Sequence, residues 1–274
     1  SAYSRAIPFE EFGKIADDIG AYLAAAIAHI AGLIIGEVHE SPAKYAHIIT
    51  TTTHKTLRGP RGAMIMVTKK GLEKNPNLSN EIDKSVFPGL QGGPHNTTTA
   101  AIAVALGEAM KPEFKEYAQQ VVKNAKTLAD QLMKNNLKIV TGGTDNHLML
   151  VDLTKFGNGM GVFAEKALDL AGMTLNKNTI PKEPSSPFYP SGIRVGTPAI
   201  TTRGMKENEM KMIANWISEI VPEIGNYKLP ENKDERKIYI EKFVEEMKNN
   251  STVKRVRQEL LELCKKFPLY PELM

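Results

Sequence analysis

The sequence predicts an α/β protein: a mainly parallel sheet layered with helices, then a smaller α+β region. Three observations lead there. Short apolar runs at residues 22–27, 47–52 and 63–68 alternate with helical stretches, the pattern of buried strands between covering helices. At Lys111-Pro112-Glu113 a helix rich in small residues gives way to a long charged amphipathic one. No apolar run approaches the length of a membrane span, so the core has to be built in water.

Pro8-Phe-Glu-Glu-Phe-Gly-Lys-Ile-Ala-Asp-Asp-Ile-Gly20 has helical spacing, with Pro8 in the opening turn and Gly20 as its C-cap. The three apolar runs follow as strands, and residues 98–110 form a small-residue helix suited to close packing. The boundary is expected at Pro112, giving a partial large domain over 1–112 and a small domain over 113–274. In the second part an amphipathic helix runs to about residue 136. Residues 137–140 and 148–153 read as strands, 162–172 as a helix and 193–195 as a short strand. Residues 176–190 carry four prolines and read as largely loop. Helices at about 206–220, 233–249 and 253–266 close the chain. A strand–helix succession of this kind suggests α+β. A sheet of the first type needs more strands than residues 1–110 supply, so the others are expected from a region or separate fragment N-terminal to this one.

Composition narrows the class. With 42% hydrophobic and 24% charged residues, the 274-residue chain has the balance of a water-soluble globular protein. Its single cysteine, Cys264, excludes an intrachain disulfide framework and makes a reducing, cytoplasmic setting the expectation. Residues 9–18 are charged and amphipathic, unlike a cleavable signal peptide. The net charge of +4 is mildly basic. The lysines stand beside glutamates along helices, as in 242–248, and not in a clustered patch, so no nucleic-acid partner is expected. No metal site is expected either.

The most informative string is Thr50-Thr51-Thr52-Thr53-His54-Lys55-Thr56-Leu57-Arg58-Gly59-Pro60-Arg61-Gly62. It follows a candidate strand, and its glycines and proline force a turn. A lysine at a strand end among hydroxyls and a histidine is suited to bond an aldehyde cofactor through its amine. By composition alone it would be a threonine-rich strand with a surface lysine. Taken alone, His29 in Ala28-His29-Ile30-Ala31-Gly32-Leu33 would be a satisfied core histidine. Phe87-Pro88-Gly89-Leu90-Gln91-Gly92-Gly93-Pro94 would be an ordinary turn, although its glycines allow backbone N–H groups close to a phosphate. Arg194, in Ser191-Gly192-Ile193-Arg194-Val195-Gly196-Thr197-Pro198, offers a fork that fits a carboxylate.

Together these strings resemble the serine hydroxymethyltransferases along the whole chain, and the Thr-Thr-Thr-Thr-His-Lys string is specific to that family. The resemblance implies a fold-type-I enzyme dependent on pyridoxal 5'-phosphate. It would interconvert serine and glycine with tetrahydrofolate as one-carbon acceptor. Lys55 would hold the cofactor, His29 would lie beside its ring, and Thr52 and His54 would tune Lys55. Arg61 would shape the pocket, and Ser1 corresponds to a serine that contacts the cofactor. Gly92 and Gly93 would reach the cofactor phosphate of a neighbouring subunit, which implies a homodimer. Arg194 would clamp the substrate carboxylate. Asn178, Ser186, Pro187 and Phe188 resemble the loop that holds the pteridine.

The sequence departs from the family in two places. Ala26 occupies the position of the aspartate in the family's Asp-x-Ala-His pattern, whose carboxylate keeps the cofactor's pyridine nitrogen protonated. Thr97 stands where a histidine is usual. With Ala26, and without the family's N-terminal region, the expectation is little or no transferase activity from this chain alone. The alternative is a non-catalytic homologue that uses a degenerate fold to bind a cofactor or a partner.

Overall fold

The computed structural model describes residues 3–270. They divide into two compact units, one over Ala6–Gln119 and one over residues 120–270 with the lead-in 3–5. The expected boundary at Pro112 lies ahead of this division, which falls inside a long helix. Pro112 opens that helix, a position its fixed φ suits and where its missing N–H costs nothing. The first turns bury Phe114, Tyr117 and Ala118 in the first unit, and later turns bury Val121, Leu128 and Leu132 in the second.

The first unit contains α1 (Phe9–Asp18), β1 (Ala24–Ala26), α2 (Ala31–Ile35), β2 (Ile48–Thr52), β3 (Ala63–Val67), α3 (Lys69–Lys74), α4 (Leu78–Val86), α5 (Asn96–Ala109) and the start of α6 (Pro112–Lys134). Its sheet is three-stranded, in the order β1-β2-β3. β1 and β2 are parallel, with Ala26 opposite Thr50. β2 and β3 are antiparallel, with Thr50 opposite Ile65 and Thr52 opposite Ala63, so the sheet is mixed. The reversal has a local cause. Residues 53–62 hold Gly59, Pro60 and Gly62 and no helix, and are too few for the crossover of a dozen or more residues that parallel strands require.

Side chains alternate across this sheet. Ala25, Ile49 and Thr51 are buried, while Ala24, Ala26, Ile48, Thr50 and Thr52 face a more accessible side. The small-residue helix α5 forms where expected, but only Ala105 and Ala109 on it are buried. Val104 is 64% exposed and the adjoining Met110 87%.

The second unit contains β4 (Lys138–Ile139), β5 (Leu148–Asp152), α7 (Gly161–Leu170), β6 (Asn176–Asn178), β7 (Gly192–Gly196), α8 (Pro198–Thr202), α9 (Glu207–Glu223), α10 (Lys233–Met247) and α11 (Ser251–Lys266), with the later turns of α6. Its sheet runs β4-β5-β7-β6 and is antiparallel throughout. β6 lies in the stretch expected as loop. It is three residues long and is held by pairing with β7, a contact that no local sequence pattern announces. Every residue of β5 is buried, and Met149, Phe163, Ile193, Met210, Ile217 and Phe243 are among those that fill one continuous core. Each such side chain contributes about 1.5–3 kcal/mol through burial. Phe243 meets the rings of Phe163 and Tyr227 edge-on, at 4.9 and 4.6 Å. Among the described residues no helix is long and apolar enough to cross a membrane.

His47 ties β1 to the chain entering β2. Its ring is 1% exposed, and Nδ1 accepts the Leu23 N–H at 2.9 Å. Burial pushes its pKa down, Lys70 and Lys74 push it further down, and Asp17 opposes them weakly. Tyr22 packs edge-on against the ring. A folded-state pKa below the unfolded value means that the neutral form is favoured by folding. This share of stability is therefore present above the ordinary histidine pKa and is lost as pH falls below it. The melting temperature of the wild type is expected to drop between about pH 7 and about pH 5. His47→Asn keeps an acceptor for Leu23 but does not titrate. Its melting curves should start lower and fall less steeply over the same range, and equal slopes would remove His47 from the account.

Candidate functional site

The site begins where β2 ends. Thr53 closes the turn that carries Lys55: its N–H donates to Gly62 O (3.0 Å), its carbonyl accepts from Gly59 N (2.8 Å), and its hydroxyl donates to Pro60 O (2.6 Å). Gly59 is required here, because a Cβ would lie 2.9 Å from Thr53 O. Arg58 takes the left-handed conformation at φ 59°, which costs a non-glycine residue about 1 kcal/mol. Its guanidinium lies over the rings of Tyr117 and Phe114, at 4.1 and 5.4 Å. Such cation–π contacts contribute on the order of 0.5–2 kcal/mol and offset the strain.

Lys55 is half-buried and its Nζ donates to the Thr52 hydroxyl at 3.1 Å. His54 is also half-buried, and its Nδ1 is a buried polar atom with no hydrogen-bond partner among the described residues. A buried nitrogen in that state costs free energy unless something polar meets it. Thr52 shares the accessible face of the sheet with Ala26 and Thr50, and no strand position on that face carries a carboxylate.

Thr56 attaches His29 to this turn. The Thr56 side chain is 1% exposed. Its hydroxyl donates to His29 O at 3.1 Å and accepts the Gly32 N–H at 3.0 Å. Gly32 has no room for a side chain, since a Cβ there would stand 2.5 Å from Thr56 O. The structure thus brings His29 and Thr52–Lys55 into one neighbourhood from segments more than twenty residues apart.

The other expected residues of the first unit are less organised. Arg61 is exposed and makes no hydrogen bond or ion pair with the described residues. Gly92 and Gly93 lie in an exposed loop, and among the described residues nothing lies within 4 Å of a Cβ added at either. Ser1 lies outside the described residues.

In the second unit Arg194 sits in the middle of β7, opposite Leu150 and Asn176. It is half-buried and its guanidinium has no hydrogen bond or ion pair within the described chain, an arrangement suited to an anion. Asn178 ends β6 and donates to Thr179 O at 2.7 Å. Ser186 and Tyr189 form a bridge across a tight turn. Pro187 and Phe188 form its tip, with Phe188 78% exposed. Glu183 accepts hydrogen bonds from Ile180, Ser185 and Ser191. Burial pushes its pKa up, but the Ser191 hydroxyl and the three backbone N–H groups outweigh burial and leave it lowered.

Sequence reasoning gave no role to Thr56, Gly32, Arg58 or Glu183. Thr56 adjoins the recognised lysine, but nothing local marks its contact with His29. Glu183 is an acid in a proline-rich loop, a setting in which most acids are merely solvated.

A family model described as serine hydroxymethyltransferase matches residues 1–217 of the chain.

Thr56→Val keeps the shape of the side chain and removes the hydroxyl. It leaves the buried Gly32 N–H and the His29 carbonyl without their partner. The expected cost is about 1–3 kcal/mol in urea unfolding. A change of a few tenths would show that the two segments are joined by packing alone.

Proposed function

The chain belongs to the serine hydroxymethyltransferase family, and on that footing we propose that it carries the family's pyridoxal-phosphate site, with Lys55 holding the cofactor for the interconversion of serine and glycine. The fold type is that of the family, fold type I. One observation carries the proposal: the Lys55 amine donates to the Thr52 hydroxyl at a strand end, and the preceding residue, His54, has a buried Nδ1 with no hydrogen-bond partner among the described residues.

The aldehyde end of the cofactor fits these residues. A hydroxyl at 3.1 Å orients the lysine amine, and the unpartnered nitrogen of His54 offers a polar group to an incoming ligand. His29, whose backbone carbonyl accepts from Thr56, is the residue we assign to flank the ring. Arg61 and, in a homodimer, Gly92 and Gly93 of the neighbouring copy supply a cation and open backbone N–H groups for the phosphate. The exposed apolar side of α5 accords with such a homodimer. Arg194 holds the substrate carboxylate, and Asn178, Ser186, Pro187 and Phe188 receive the pteridine of tetrahydrofolate. We place the protein in the cytoplasm, in line with its lone cysteine.

When bound, the cofactor supplies an electron-withdrawing ring that takes up the electron pair left as a bond at the substrate's Cα breaks. The ring-nitrogen end fits less well. Ala26 presents a methyl group beside Thr50, where the family pattern has a carboxylate. A methyl group cannot hold a proton on the ring. Losing a carboxylate that holds a proton on the ring is expected to lower the rate by roughly two powers of ten or more, each power corresponding to about 1.4 kcal/mol of barrier. Ala26 therefore favours a second reading, a binding-competent and catalytically weak homologue.

Incubation with pyridoxal phosphate followed by borohydride should place a reduced pyridoxyl group on the peptide that contains Lys55, and Lys55→Ala should abolish it. No label, or label spread over other lysines, would defeat the proposal. Serine cleavage by the wild type should be weak and should rise roughly a hundredfold or more in Ala26→Asp. Label at Lys55 with no cleavage by either protein would establish the non-catalytic reading.

A further inference from the structure

The loop between β6 and β7 is rich in proline, yet it is tightly held. The Glu183 carboxylate accepts four hydrogen bonds. Oε2 takes the N–H groups of Ile180 (3.1 Å) and Ser191 (3.0 Å). Oε1 takes the N–H of Ser185 (3.0 Å) and the hydroxyl of Ser191 (2.6 Å). Ser191 is fully buried, and its oxygen also accepts the Gly159 N–H at 2.9 Å. The far end of the loop is held separately. Lys177 Nζ donates to Phe188 O at 2.9 Å, and the Arg236 guanidinium lies 5.0 Å from the centre of the Tyr189 ring. There is no slack beneath: a Cβ on Gly192 would meet Ile180 Cγ2 at 2.6 Å and Asn178 O at 3.0 Å.

These bonds join three points: the residue two after β6, the middle of the loop, and the residue before β7. β6 ends in Asn178, the loop carries Ser186, Pro187 and Phe188, and β7 carries Arg194. A carboxylate has about four acceptor sites, and here all are used. An amide in its place would turn its own N–H groups against at least one of the three backbone N–H groups that face the carboxylate.

We propose that Glu183 is the positioning residue of the folate site. It touches no ligand, and it fixes the loop that presents Phe188 and Ser186 in register with the strand that presents Arg194. The inference rests on the pteridine assignment made above. Its consequence is that folate affinity depends on Glu183 out of proportion to stability, because the loop is ordered before the ligand arrives.

The test uses the full chain loaded with pyridoxal phosphate and the stable reduced folate 5-formyltetrahydrofolate as probe. Glu183→Gln should weaken probe binding by roughly tenfold to a hundredfold, the equivalent of one hydrogen bond to a charged group. Backbone amides over 180–191 should exchange faster, while Lys55 labelling and the amides of Ala6–Gln119 stay as in the wild type. Ser191→Ala, which removes one donor, should act in the same direction and more weakly. Phe188→Ala serves as the control that the probe sits at the loop. Wild-type affinity in Glu183→Gln overturns the inference, whatever the exchange shows. Unchanged exchange over 180–191 also overturns it. A wild type that does not bind the probe, or that binds it equally well as Phe188→Ala, refutes the pteridine assignment instead and removes this inference with it.

Discussion

The hydroxyl of Thr56 is the contact on which the first unit's site depends. It is buried and uses one donor and one acceptor on the same short segment, His29 O and Gly32 N. The contact exists only because residue 32 has no Cβ to keep the two backbones apart. Once it is made, the freedom of the next residue back, Lys55, is sharply reduced. The turn around Lys55 is already closed by Thr53 and braced by Arg58 on two aromatic rings. The lysine side chain extends from this closed turn, and its amine donates to the Thr52 hydroxyl.

The second unit solves a related problem with charge. Its loop has too few apolar side chains to pack itself into one shape, and four prolines deny it donors for a regular ladder. One carboxylate gathers three of the loop's backbone N–H groups and the Ser191 hydroxyl. The half-buried Glu183 keeps its proton off because its four bonds favour the anion more than burial disfavours it. Order in this loop is therefore electrostatic, whereas order at the Lys55 turn comes from backbone geometry and close packing.

This difference explains what could be read from sequence. The Thr50–Gly62 string was legible as strand and turn because local chemistry determines both: a β-branched run followed by Gly59, Pro60 and Gly62. The C-terminal helices were legible because burial on one face writes a periodic pattern, and α9, α10 and α11 lie close to where the pattern put them. β3 was legible as a strand but not as an antiparallel one, since its direction depends on how the 53–62 turn closes. β6 was not legible, because Asn-Lys-Asn has no strand character and is held only by its partner. Arg194 stood out as a fork in a glycine-rich strand. Glu183 did not, because its meaning lies in four donors supplied by other residues.

The same logic bears on Ala26. It lies on the accessible face of β1 and is itself exposed, so a larger side chain there displaces no core. Its neighbour across the strand pair is Thr50, whose short hydroxyl leaves space beside it. A carboxylate could stand at position 26 without disturbing Lys55, Thr56 or the register of the sheet. The geometry of the Lys55 turn is thus separable from the side chain carried at position 26. Binding draws on many contacts and tolerates the loss of one. Proton retention on a single ring nitrogen draws on one contact and does not. The strand and turn around Lys55 can therefore keep their geometry while a single exposed methyl group stands where the family pattern has a carboxylate.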